Sequence, residues 1–289
     1  EVARKGIFNP GEFYFDEIIL IFTAVMLTDI LLLDFFNTLG MPTSTTVSIV
    51  FTLLGAAVFM SVIKISGDSG NFSEIVNYIN TAKAIQIISG ILLSVVVALT
   101  VGAIVQWISR FFLTYDFENK PTWVSALFGG IALSAITYFI LMKGIKGTPF
   151  AGLKFDIIGG MKIKDFLETE VLKVSIMNFI LWFGVSFSLI KYVKANIYKV
   201  IIGIGTFALA LAFAGNDLVN FIGVPIAAYQ SYEAWVASGA LATEFSMGVL
   251  SSKVPTPTFL LVISGGIMVI TLWLSSKAKK VMKTELDLS

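Results

Sequence analysis

Two short polar stretches lie between strongly apolar runs and carry most of the groups that could do chemistry. The first covers residues 40–48 and contains four consecutive hydroxyl side chains: Thr43, Ser44, Thr45 and Thr46. The second covers residues 214–225 and contains two asparagines and a carboxylate: Asn216, Asp217 and Asn220. Hard oxygen ligands suit alkali and alkaline-earth cations, and hydroxyls and amides hydrogen-bond to oxyanions. Both stretches are therefore candidate ion-binding segments.

The hydroxyl-rich stretch follows Gly40-Met41-Pro42 and leads into a predicted apolar helix over residues 49–63. Proline suits a first helical turn, where N–H groups lack intrahelical acceptors and the helix dipole favours anions. The stretch could be an anion cradle. It could also be an ordinary N-cap, which needs only one serine or threonine. Four hydroxyls in a row favour the cradle, but the residues alone leave both interpretations open.

The second stretch predicts an interrupted membrane helix. Residues 200–214 carry no charge but are too few to cross a hydrocarbon core of about 30 Å, which takes roughly 20 helical residues. Extended through Asp217 to about residue 228, the segment becomes long enough. We therefore predict a spanning helix that is broken at Gly215-Asn216. The freed backbone groups and the Asp217 carboxylate would then need partners in a protein-lined cavity.

The amino-acid composition indicates that these stretches belong to a membrane protein. Of 289 residues, 56% are hydrophobic and only 13% are charged, so a soluble domain would leave large apolar surfaces bare. We predict an all-α, multi-pass integral membrane protein surrounded by lipid, in the cell (inner) membrane. With 20 basic and 19 acidic residues the net charge is +1, which gives no indication of a nucleic-acid partner.

The residue types that are missing exclude much chemistry. The chain has no histidine and no cysteine, so it cannot form a disulfide, a thiolate or imidazole zinc site, or a Ser-His or Cys-His nucleophile pair. An enzyme acting on lipid phosphates would need a histidine nucleophile, a metal with several carboxylates or an arginine clamp, and the apolar segments contain none of these. We therefore expect neither an enzyme nor a resident cofactor.

Several further apolar segments predict membrane crossings, at residues 18–36, 84–113, 123–142, 171–190 and 259–274. Residues 143–170 form the largest polar connection, with a short lateral helix expected at residues 163–171. Residues 229–254 are too polar for a lipid-exposed span, and we interpret them as a re-entrant or interfacial excursion. Asp29 lies inside the first apolar segment. It could pair with a neighbouring helix or be neutral, and a role in an ion path is equally open for it.

Together the two polar stretches resemble the inorganic phosphate transporter (PiT) family of ion-coupled phosphate symporters. That family carries a duplicated signature, a Gly-Ala-Asn-Asp-Val-Ala-Asn core with a downstream Pro-Val-Ser-Thr-Thr-His element in each half. Residues 214–220 resemble the second copy of the core, and residues 41–47 resemble the first copy of the downstream element. Here Thr43 replaces the valine and Val47 replaces the histidine, so a proton role for that histidine is absent.

The resemblance implies two inverted repeats, of which this chain holds parts. Residues 1–142 would be the later part of the first repeat, residues 143–170 a connecting loop, and residues 171–289 the early part of the second repeat. The first Asn-Asp core and the second Ser-Thr-Thr element should lie outside the chain. We therefore expect a fragment of a longer transporter that does not transport alone.

The resemblance also implies that phosphate and sodium bind at the junction of the repeats, near the bilayer midplane. Asp217 and Asn220 would offer a carboxylate and an amide from one helix face to sodium or to the proton of hydrogenphosphate. Thr45 would join them at the sodium ion. The substrate-binding set it implies is Thr43, Ser44, Thr45, Thr46, Asn216, Asp217 and Asn220.

In the implied mechanism sodium is the coupling ion, because the apolar segments offer no buried lysine or arginine to balance the anion. Alternatives are transport of sulfate or another oxyanion, proton in place of sodium, and a non-transporting membrane subunit. The sequence leaves the absolute topology and the formation of a homo-oligomer open.

Overall fold

The computed structural model describes residues 6–67, 70–114, 120–145, 153–154, 160–252 and 257–288. These ranges contain no β-strand, only isolated bridges. The α-helices are α1 Phe15–Leu39, α2 Thr45–Gly67, α3 Ile75–Tyr78, α4 Thr81–Leu113, α5 Thr122–Ile145, α6 Ile163–Thr169, α7 Val171–Ser188, α8 Ile197–Ser238, α9 Thr258–Leu274 and α10 Ser276–Leu288. The prediction of an all-α chain is confirmed.

Five helical stretches in the described part of the chain are long and apolar enough to cross a membrane. They are Phe15–Leu39, Thr45–Gly67, Thr81–Leu113, Thr122–Gly144 and Val171–Val193. A sixth is present if α9 and the start of α10, which meet at a bend of 72°, count as one span. In a bilayer an α-helix satisfies its backbone hydrogen bonds within itself. The chain is a multi-pass integral membrane protein.

The prediction that the helix is broken at Gly215-Asn216 is wrong. Helix α8 continues through both residues and also contains Pro225. A glycine inside a helix costs only about 1 kcal/mol relative to alanine. An interruption would leave backbone N–H and C=O groups unpaired at membrane depth, where each costs several kcal/mol. A continuous helix therefore has the lower free energy, and the polar residues project from its surface.

The chain divides into two packing units, with a boundary inside α8 between Gly215 and Asn216. The first unit comprises Glu1–Val96 and Asn216–Ser289, and the second comprises Val97–Gly215. These units are defined by packing alone. The proposed division into a first repeat, a loop and a second repeat stays a prediction.

The core of the first unit joins α1, α2 and the later part of α8. Its buried side chains include Phe22 and Val25 of α1, Leu53 of α2, and Val224 and Ala227 of α8. Fully burying an aliphatic or aromatic side chain contributes about 1.5–3 kcal/mol. This cluster therefore fixes which face of α8 is turned towards α1 and α2.

The connection after α8 packs against the N-terminal segment of the same unit. The Phe15 amide donates to the Phe245 carbonyl at 3.1 Å, and the Met247 amide donates to the Phe13 carbonyl at 3.0 Å. The Phe15 ring stacks on Trp235 with 4.5 Å between ring centroids. Of the excursion predicted for residues 229–254, the described part, 229–252, consists of the end of α8, a turn and a short 3-10 helix at Met247–Ser251. Residues 253 and 254 lie outside the described residues.

In the second unit α5 and α7 approach closely at two consecutive glycines. A Cβ atom added to Gly129 would lie 2.7 Å from Ser186 Oγ and 2.9 Å from Ile197 Cγ1. A Cβ added to Gly130 would lie 3.1 Å from the Phe183 Cα. Small residues at a membrane-helix interface let backbones approach in this way. The short helix predicted near residue 163 is confirmed as α6, and Tyr138 Oη of α5 donates to the Leu167 carbonyl of α6 at 3.1 Å.

Replacing Gly129 by alanine is expected to destabilise the protein by about 1–3 kcal/mol, because the added methyl group overpacks the α5–α7 interface. The measurement is thermal unfolding of the purified protein in detergent. Gly184→Ala on α7 is the matched control, because an added Cβ there meets nothing within 4 Å. Equal unfolding temperatures for the two variants would contradict the interpretation of Gly129 as a packing position.

Candidate functional site

The hydroxyl-rich stretch forms the start of α2. Helix α1 ends at Leu39 because Gly40 adopts a left-handed conformation with φ +73°, which glycine tolerates without strain. Ser44 directly precedes α2, and its Oγ accepts a hydrogen bond of 3.3 Å from the Val47 amide. That is the geometry of a helix N-cap. One hydroxyl of the four therefore caps the helix, while those of Thr45 and Thr46 project from its first turn.

Both threonines bind the polar residues of α8. Thr45 Oγ1 donates to Asp217 Oδ1 at 2.8 Å. Asn220 Nδ2 donates to Thr45 Oγ1 at 3.1 Å and to Thr46 Oγ1 at 2.8 Å. Asp217 and Asn220 are three residues apart and so share one face of α8. We call these four side chains the Thr45 cluster; all four are half-buried.

The Thr45 cluster carries a carboxylate without a basic partner among the described residues. The ion pairs there join Lys64 to Glu17, Lys164 to Glu168, Lys173 to Glu170 and Lys277 to Asp34. None includes Asp217. A charged carboxylate at membrane depth requires a compensating group. The cluster therefore has the donor set of a cation site, a carboxylate and hydroxyl oxygens, beside hydrogen-bond donors that suit an anion.

The remaining predicted site residues stand apart from this network. Thr43 and Ser44 are exposed, and neither takes part in the hydrogen bonds to α8. The side chain of Asn216 lies outside the described part of the structure. The geometry thus brings together Thr45, Thr46, Asp217 and Asn220, and it places Thr43 and Ser44 at the edge of the group.

The core of the first unit positions the cluster. On α2 the buried residues Ile49, Val50 and Leu53 follow the two threonines, and on α8 the buried residues Val224 and Ala227 follow Asn220. In both helices the polar turn is therefore succeeded by a packed apolar stretch. That packing brings the two polar faces within hydrogen-bonding distance of each other.

A second carboxylate lies nearby on α1. Asp29 is only 2% exposed, and its Oδ1 accepts a hydrogen bond from Ser48 Oγ of α2, which is 7% exposed. Insertion scales assign about 2.5–3.5 kcal/mol to an aspartate at the centre of a membrane helix. The sequence singled out Asp29 but not Ser48. Their pairing depends on how α1 and α2 align, which local patterns do not encode.

A cavity of about 320 Å³ lies in the second unit and is lined by Lys120, Ser125, Ile190, Lys194, Ala195, Asn196, Ile197 and Tyr198. It contains none of the predicted site residues. Ser125 Oγ and Tyr198 Oη are hydrogen-bonded at its wall, 3.0 Å apart. It is therefore a feature separate from the Thr45 cluster.

Several membrane-spanning helices, with a carboxylate, an amide and two hydroxyls meeting between α2 and α8, are features of membrane transport proteins. A family model described as the phosphate transporter family matches residues 1–285. The chain belongs to that family. The resemblance seen in its two polar stretches is thereby confirmed at the level of the family. No curated protein and no solved structure matches the chain at significant similarity.

Proposed function

We propose that the protein is a sodium-coupled phosphate symporter that works by alternating access, with the Thr45 cluster as part of its ion-binding site. The observation that carries this proposal is the hydrogen-bonded set of Thr45, Thr46, Asp217 and Asn220, which links the start of α2 to α8. Sodium binds at the carboxylate of Asp217 with oxygens of Thr45 and Asn220. Phosphate binds at the neighbouring hydroxyls, amide and first-turn N–H groups.

Charge explains why the two ions bind together. Phosphate would enter a site that has one carboxylate and, in the described residues, no lysine or arginine paired with it. Sodium supplies the missing positive charge, and phosphate in turn balances sodium. Each ion therefore raises the affinity for the other, and this reciprocal coupling is what symport requires.

Sodium and phosphate together are expected to stabilise the purified protein by more than the sum of their separate effects. At a concentration of 100 times Kd, a ligand that binds only the folded state adds about 2.7 kcal/mol. The measurement is the unfolding temperature in detergent, with choline replacing sodium and chloride replacing phosphate as controls. Purely additive shifts would contradict coupling, and no shift with either ion would favour the alternative of a non-transporting membrane subunit.

Uptake of radiolabelled phosphate by the full-length protein in proteoliposomes tests the function itself. We expect an inward sodium gradient to drive accumulation of phosphate. Uptake that is unchanged when sodium is replaced would defeat the coupling to sodium, and the same assay with an imposed pH gradient would then test the proton. Uptake of sulfate in preference to phosphate would favour the second candidate, a transporter of another oxyanion.

We further infer that the transporter has two inverted repeats and that the proposed sites lie near the bilayer midplane. The support is the family membership together with the position of Asp217 and Asn220 inside α8, shortly after its apolar part, Ile197–Ala212. In secondary transporters, sites at the junction of repeats are typically reached from one side of the membrane at a time. Assembly into a homo-oligomer would be compatible with this arrangement.

A further inference from the structure

Asp29 is a buried carboxylate that the proposed phosphate and sodium site does not use. It lies in the middle of α1, is 2% exposed, and accepts a hydrogen bond from Ser48. Ionisable residues at membrane depth are rare, face the interior of the bundle and commonly mark ion or proton paths. The residue lies outside both polar stretches that identify the family. It therefore calls for an explanation of its own.

The charged groups around Asp29 do not neutralise it. Helix α1 packs against α2 and α10, and its core also includes residues of the later part of α8. The charged residues of that part of α8 are Asp217, which accepts a hydrogen bond from Thr45, and Glu233, which is exposed. The lysine of α2, Lys64, pairs with Glu17, and Lys277 of α10 pairs with Asp34. The other described charges of α10 are exposed: Lys279, Lys280, Lys283 and Asp287. No ion pair in the described ranges includes Asp29, so its identified partner is the hydroxyl of Ser48.

Ser48 connects Asp29 to the Thr45 cluster. Ser48 and Thr45 are three residues apart on α2 and therefore lie on the same side of its first two turns. The hydroxyl of Thr45 donates to Asp217, and the hydroxyl of Ser48 donates to Asp29. Two carboxylates on two different helices are thus held by neighbouring hydroxyls of α2. A change in charge at either carboxylate is felt at the other through a low-dielectric interior.

We propose that Asp29 and Ser48 form a second cation-binding site, which takes up one monovalent cation, sodium or a proton, when phosphate binds at the Thr45 cluster. The inference rests on the proposed function, because the phosphate anion is what favours added positive charge. Sodium and the proton share the chemistry that this site recognises, a small cation at a carboxylate beside a hydroxyl oxygen. Which of them binds is decided by the experiment.

The test is the affinity of the purified full-length protein for radiolabelled phosphate, measured in two series. One series varies sodium against choline at fixed pH, and the other varies pH at fixed sodium. The variants are Asp29→Asn and Ser48→Ala. The matched controls are Asp34→Asn, an exposed acid on the same helix, and Thr52→Val, whose hydroxyl bonds to the Ser48 carbonyl of its own helix. Phosphate itself titrates with pH, but equally for every variant.

In one of the two series, Asp29→Asn is expected to lower the number of cations linked to phosphate binding by about one, read as the slope of log affinity against log cation concentration. The series that changes identifies the cation. In that same series Ser48→Ala is expected to weaken the cation's effect about fivefold or more, within the usual range of coupling factors. Both controls should follow the unaltered protein. A purely structural role of Asp29 would change the affinity but leave both slopes intact.

Unaltered slopes in both series for Asp29→Asn would overturn the inference while leaving the proposed function in place. If Asp29→Asn does not fold, Ser48→Ala decides: an unchanged cation effect in both series would then overturn it. An unaltered protein that binds no phosphate under any condition would instead overturn the proposed function, and this inference with it.

Discussion

Replacing Asp217 by asparagine is expected to lower phosphate uptake by the full-length protein about 100-fold. The substitution keeps the size of the side chain and an oxygen for the Thr45 hydroxyl, which now lies 2.8 Å from Asp217 Oδ1. It removes the charge that would hold sodium. Truncating one member of a buried charge pair typically costs 2–5 kcal/mol, and about 1.4 kcal/mol corresponds to a factor of ten. The measurement is the initial rate of radiolabelled phosphate uptake in proteoliposomes.

Asp165→Asn is the matched control for this prediction. Asp165 is exposed on α6, so its replacement should leave uptake close to that of the unaltered protein. An Asp217→Asn variant that retains sodium-driven uptake would contradict the proposed sodium site. The same variant also tests selectivity. Hydrogenphosphate can donate a hydrogen bond to a carboxylate and sulfate cannot, so undiminished discrimination against sulfate would exclude Asp217 as the residue that distinguishes them.

Replacing Thr45 by valine is expected to weaken phosphate binding about tenfold. Valine has nearly the same shape, but it removes the donor to Asp217 and the acceptor for Asn220. A buried group that loses its partner typically costs 1–3 kcal/mol. The measurement is the phosphate Kd of the purified protein in the presence of sodium. Asn220 keeps its bond to Thr46 at 2.8 Å, so we expect a graded loss and not abolition.

Thr52→Val is the control for Thr45→Val, because both remove a threonine hydroxyl from α2 but Thr52 bonds only within its own helix in the contacts described. The double variant Thr45→Val/Asp217→Asn extends the test. Residues in one hydrogen-bond network typically show coupling energies of 0.5–3 kcal/mol. The loss of phosphate binding in the double variant should therefore be smaller than the sum of the losses in the two single variants. Strict additivity would mean that Thr45 and Asp217 act independently of each other.

Much of the architecture could be predicted because it follows from local composition. Apolar runs of about 20 residues can hardly be anything but membrane helices when charge is scarce. The convergence of Thr45 and Asp217 was predicted from the family signature, and the geometry brings them into hydrogen-bonding distance. Their roles in ion binding stay a prediction. The sequence did not show which hydroxyl makes which contact: Ser44 caps the helix, and Thr45 faces α8.

Two features of the structure could not be predicted from the sequence, for physical reasons. The break expected at Gly215-Asn216 was inferred from helix-disfavouring residues, but their local penalty is smaller than the cost of unpaired backbone groups in a membrane. The partner of Asp29 depends on the register of α1 against α2, which is set by packing among buried residues such as Val25 and Leu53. The register of two packed helices depends on the whole interface between them, so it cannot be predicted from a short motif.

The hydroxyl of Thr45 accepts a hydrogen bond from the Asn220 amide and donates one to Asp217. The same oxygen atom is therefore a hydrogen-bond donor and a hydrogen-bond acceptor, and the methyl group of Thr45 takes part in neither bond. Serine at position 45 should consequently serve as well as threonine, whereas a purely donating or purely accepting side chain should not. In related chains, we would expect variation at this position to be confined to the two small alcohols.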